Sequence, residues 1–143
     1  MRFAKTLALC AGSIGVLAAC GGGGTTVGEQ RPCPQVIASN FLVYPAPGSS
    51  GIPATTHVVV VIGPIDQVTL RPAVGPLIVT TSQISVPSPI PSPNAQTGGG
   101  PEKAFALPTL GNSTAYTVIT ELTTRDPACP WGAPQLIGSF TTQ

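Results

Sequence analysis

Between His57 and Ile62 the chain reads His-Val-Val-Val-Val-Ile, and Gly63-Pro64 closes the run. Five consecutive β-branched residues are stiff at χ1 and suit a central, buried strand better than a helix. Further strands are predicted at Val36–Tyr44, Gln67–Arg71, Leu77–Val86, Ala104–Leu110, Ala115–Thr124 and Leu136–Thr142. Within Ala115–Thr124, Tyr116, Val118 and Leu122 fall on one face, with Thr117, Glu121 and Thr123 largely on the other. In the last run Leu136 and Phe140 share a face. Turn clusters separate these runs at Pro45–Pro53 and Pro72–Pro76. Pro87, Pro89, Pro91 and Pro93, followed by Gly98-Gly99-Gly100-Pro101, predict an extended, exposed loop, because proline lacks the ladder donor. Seven strands with turn signals between them predict an all-β chain folded as a single antiparallel β-sandwich over residues 33–143.

The N-terminal pattern is different. Arg2 and Lys5 precede an apolar, small-residue stretch of about fifteen residues from Thr6 to Cys20. A membrane-spanning helix needs roughly twenty, so the stretch reads as a secretion signal. It ends in Leu17-Ala18-Ala19-Cys20, which resembles the lipobox of bacterial lipoproteins. That resemblance implies cleavage after Ala19, lipidation of the Cys20 thiol and acylation of the new amine. One acyl chain holds a protein only marginally, whereas two or three make a durable anchor. With Gly21 rather than Asp after the cysteine, the resemblance points to the outer membrane of a Gram-negative envelope. Residues 1–19 are thus expected to be the signal. Residues 20–32 are expected to be the lipidated cysteine and a Gly/Thr-rich tether reaching roughly 20 Å.

Composition alters this picture in two places. Seventeen glycines and 17 prolines in 143 residues, with few charges, border on a disordered composition. The Val, Ile and Thr runs offset it by supplying a strand-forming core. After the signal, Arg31, Arg71, Lys103 and Arg125 nearly balance Glu29, Asp66, Glu102, Glu121 and Asp126. No basic patch remains for nucleic acid. Of the four cysteines, Cys10 leaves with the signal and Cys20 carries lipid, which leaves Cys33 and Cys129. An even pair in an exported chain is expected to bond, with free thiols or a metal site as the alternatives. One histidine and no Cys-x-x-Cys argue against zinc.

Two further patterns carry a family resemblance. Leu110-Gly111-Asn112-Ser113-Thr114-Ala115-Tyr116 is similar to the Leu-x5-Tyr segment of fibronectin type III and bacterial Ig-like domains. There the tyrosine hydroxyl binds nearby backbone, the tyrosine corner. Tyr44–Pro53 resembles the Pro/Gly-rich opening of bacterial Ig-like repeats, and Gly138–Thr142 their last strand. The antibody pattern is missing: no cysteine lies two residues after Tyr116, and Trp131 falls in a loop.

Candidate chemistry is sparse. His57 opens an apolar strand beside no nucleophile motif and reads as a surface or packing residue. Asp66, Glu102, Glu121 and Asp126 are isolated in sequence and read as solvated charge. Asn112-Ser113-Thr114 reads as turn chemistry, and the glycine runs as linkers. Trp131, in Cys129-Pro130-Trp131-Gly132, either packs over the disulfide or anchors a partner. The expectation is a lipid-anchored envelope protein with a non-catalytic, cofactor-free Ig-like module. Its expected partners are the membrane through Cys20, and another envelope protein or a surface polymer. The alternative is an accessory factor that takes a saccharide or peptide ligand in its loops.

Overall fold

The computed structural model describes Cys33 and residues 39–90, 100–129 and 131–143, all within one compact unit, Cys33–Gln143. Among these residues none is helical. Eight strands form: β1 Phe41–Tyr44, β2 Val58–Ile62, β3 Gln67–Pro72, β4 Ile78–Thr80, β5 Gln83–Ile84, β6 Glu102–Ala106, β7 Ala115–Glu121 and β8 Gln135–Thr141. They make two four-stranded sheets, ordered β1-β2-β6-β5 and β4-β3-β7-β8, with every pairing antiparallel. The chain is an antiparallel β-sandwich, as its strand pattern predicts.

The core follows from period-two alternation. Val59 and Val61 of β2, Phe105 of β6, Val68 and Leu70 of β3, Val118 of β7 and Phe140 of β8 meet between the sheets with Leu42, Ile65 and Leu110. Tyr116 stacks on Phe140 with ring centroids 5.4 Å apart, and its hydroxyl accepts the Gly111 N–H at 2.8 Å. The corner expected of Leu110–Tyr116 therefore forms.

β2 is buried on both faces. Val60 and Ile62 turn away from the inter-sheet core and join Val43, Tyr44 and Ala104 in a second apolar cluster. Val86 and Ile90 pack onto that cluster. Ile90 thus departs from the expectation of an exposed loop from Pro87, whereas Ser88, Pro89, Gly100 and Pro101 are exposed. Residues 91–99 lie outside the described residues. A continuous β-branched run is stable as a strand here because both faces find apolar cover.

The run Leu77–Val86 is two strands and not one. β4 pairs with β3 and β5 with β6, so the chain changes sheet near Thr81. Both pieces run in the same direction, antiparallel to β3 and β6 respectively. The later strands therefore alternate in direction as they would after one continuous strand. β8 also departs from the simple pattern. A register shift at Val118/Ile119 sets Val118 opposite Gly138 but Ile119 opposite Leu136. One extra residue in β8 re-aims the side chains beyond it. Leu136 and Phe140 thus occupy opposite faces, Leu136 65% exposed and Phe140 buried. The Val36–Tyr44 strand is seen only as Phe41–Tyr44, and residues 34–38 lie outside the described residues.

The free edge of β8 is covered by the segment after β1. Gly48 N–H donates to Ser139 O at 2.7 Å, Thr141 N–H to Ser49 O at 2.9 Å and Ile52 N–H to Thr141 O at 3.1 Å. This backbone ladder satisfies an edge that would otherwise invite pairing by another chain.

Candidate functional site

The strand directions gather the start of β1, the β2–β3 turn, the β5–β6 connection and the β7–β8 loop at one pole. Cys33 and Cys129 are joined there by a disulfide, with 5.5 Å between the Cα atoms. Cys129 is buried and Cys33 half-buried. Cys20, the expected lipidation site, lies outside the described residues, as do the expected signal and tether.

Hydrogen bonds hold the β7–β8 loop in shape. Leu122 N–H donates to Gly132 O at 2.9 Å, which closes the loop's base, and Cys129 N–H donates to Asp126 O at 2.9 Å. Arg125 Nη1 donates to Cys129 O at 3.3 Å, so the guanidinium is tied to the backbone of a disulfide-bonded residue. Gly132 has φ +75°, and a Cβ there would sit 2.8 Å from Leu122 Cβ. Only glycine tolerates both that backbone and that approach.

Asp66 ties the β2–β3 turn to this loop. Its carboxylate accepts from Thr123 N–H at 2.7 Å, Thr123 Oγ1 at 3.0 Å and Thr124 N–H at 3.3 Å. Slight desolvation works upward on the Asp66 carboxyl. The bonds from Thr123 and Thr124 outweigh it and hold the group below the ordinary aspartate value. A depressed folded value stabilises the fold above the unfolded value of about 3.9, and the contribution is lost as pH falls through the folded value. The stability difference between the native chain and Asp66→Asn is therefore expected to shrink between about pH 5 and about pH 3 in urea titrations. A difference independent of pH would show that the carboxylate charge is not what holds the loop.

Trp131 lies in this loop, half-buried, and its Nε1 is buried without a hydrogen-bond partner among the described residues. The Arg125 Nε is in the same condition. Two buried donors within one short loop are an unusual residue of unmet hydrogen bonding, since most such groups are paired. The sequence points to Trp131, but nothing in it marks Arg125, whose side chain lies so near Gly132 that a Cβ there would sit 3.4 Å from Arg125 Cδ.

The other candidates lie apart. His57 is exposed just before β2, at the opposite pole, and its carbonyl accepts the Leu107 N–H at 2.8 Å. Glu121 accepts a bond from Gln67 Nε2 at 3.4 Å on the outer face of the second sheet. Asp126 caps its own turn by accepting the Ala128 N–H at 2.9 Å. Glu102 opens β6 and is exposed. Among the described residues, no three His, Cys, Asp or Glu side chains converge to hold a metal ion. Asn112–Thr114 forms a turn in which Ser113 has φ +48° and Thr114 Oγ1 donates to Asn112 O at 2.8 Å. No protein-family model, curated protein or solved structure matches the chain.

Proposed function

We propose that this chain is an exported lipoprotein, anchored through Cys20 in the outer membrane of a bacterial envelope. Its Ig-like sandwich is a non-catalytic module that binds another envelope protein or a surface polymer. The Cys33–Cys129 bond carries the reading. Such bonds persist in oxidising, exported compartments. This one also fastens Cys33, at the start of the domain, to the loop that bears Trp131. The sheet orders support the Ig-like assignment, since they reproduce the A-B-E-D and C′-C-F-G arrangement of immunoglobulin sandwiches. The Tyr116 corner supports it as well.

A second reading, an accessory factor for a saccharide or peptide, is favoured by the unpaired Trp131 indole N–H. The two readings separate experimentally. Affinity purification of the native chain is expected to yield a stoichiometric envelope protein or polymer that Trp131→Ala loses at least about tenfold. Stabilisation by peptidoglycan fragments or oligosaccharides, lost on Trp131→Ala, would favour the second reading. Neither response, with Trp131→Ala unfolding at a lower denaturant concentration, would make Trp131 a packing residue and remove the loop from the proposal.

A further inference from the structure

An apolar ladder crosses the outer face of the second sheet. Val79 of β4 is in register with Thr69 of β3, Thr69 with Ile119 of β7, and Ile119 with Leu136 of β8. Its ends are the most open: Val79 is 55% exposed and Leu136 65%. At about 4.8 Å per strand spacing the ladder is about 15 Å long. Scattered exposed apolar residues are ordinary on a soluble protein. These four are in register and span the whole face, three apolar residues and one β-branched threonine.

Opposite charges flank the ladder. Arg71 lies two residues beyond Thr69 along β3, toward the β3–β4 hairpin, and Glu121 lies two residues beyond Ile119 along β7, toward the other pole. Arg71 is exposed, and its guanidinium has no hydrogen-bond or ion-pair partner among the described residues. The two charges are about 13 Å apart along the strand direction, too far to meet within one molecule.

This pattern is self-complementary. We propose that the face is a homodimer interface, in which a second copy of the chain stacks its ladder on this one about a two-fold axis lying along the ladder. That rotation keeps each ladder over the other and reverses the strand direction. Arg71 then faces the partner's Glu121 row, and the symmetric contact is made a second time. The residual offset is one strand spacing, about 4.8 Å, which an arginine side chain spans. Stacking about an axis parallel to the strands would instead set arginine against arginine and glutamate against glutamate. Charge therefore selects the antiparallel pair, with a dry apolar centre and ion pairs at the rim. The Cys33 poles of the two copies point in opposite directions.

The test is the mass of the purified full-length chain by sedimentation equilibrium in density-matched detergent, from micromolar to tenth-millimolar protein. A dimer is expected for the native chain. Arg71→Glu and Glu121→Arg are each expected to weaken it by about tenfold or more, and the double reversal is expected to restore it. Leu136→Asp is expected to abolish the dimer without lowering the denaturation midpoint of the monomer, because its side chain is exposed. A monomer throughout, a dimer indifferent to both single reversals, or a double reversal that fails to restore association would overturn the proposal.

Discussion

Replacing Cys33 and Cys129 together with serine is expected to lower the unfolding free energy by roughly 4–5 kcal/mol. The two cysteines are 96 residues apart, and the loop they close contains every strand except β8. Cross-linking so long a loop removes conformational freedom chiefly from the unfolded chain, where it is largest. The folded state is affected as well. β1 has four residues, lies at the edge of its sheet and is the first strand after Cys33, so it loses its upstream anchor when the bond is cut. Urea denaturation of the native protein, with and without reductant, measures the effect directly. A change below about 1 kcal/mol would mean that residual structure in the reduced chain already supplies the constraint.

Val60→Asp is expected to cost about 3–5 kcal/mol, as an uncompensated buried charge does. Val60 faces away from the inter-sheet core, where a one-sided sandwich would present solvent. It is nonetheless fully buried, beneath a cluster to which Val43, Tyr44, Ile62 and Ala104 contribute and onto which Val86 and Ile90 pack. Ser50→Asp, at an exposed position after β1, is the matching control and is expected to shift stability by no more than about 0.5 kcal/mol. Equal, small effects at the two sites would show that the second cluster opens freely to water.

These two cases mark how far the fold is legible in the sequence. The five β-branched residues ending at Ile62 identify a central strand, because no amphipathic alternation interrupts them. What covers the outward half of that strand is not legible. Val86 and Ile90 sit among prolines and serines, a composition that reads as solvated loop, and only tertiary contact reveals them as cover. The sheet change near Thr81 is hidden for another reason. Thr80-Thr81-Ser82 contains no glycine or proline, and the crossing is supported locally by the Ser82 N–H donating to Thr80 Oγ1 at 3.3 Å. The β8 register shift is equally silent, and it reverses the face assigned to Leu136.

The candidate site divides in the same way. Cys33 and Cys129 stand out by elimination, and Trp131 by its neighbourhood. The grip of Asp66 on Thr123 and Thr124 spans 57 residues or more and leaves no local trace. The outer-face ladder is also invisible in sequence, since it depends on the register of four strands drawn from separate parts of the chain.

The proposed function requires an exported, lipidated chain whose domain is closed by one disulfide. Intact mass of the membrane-extracted protein, before and after reduction and thiol alkylation, tests it most directly. A mass matching Cys20–Gln143 plus acyl chains is expected, with two thiols alkylated only after reduction. A full-length or unlipidated mass, or two thiols alkylated before reduction, would contradict it.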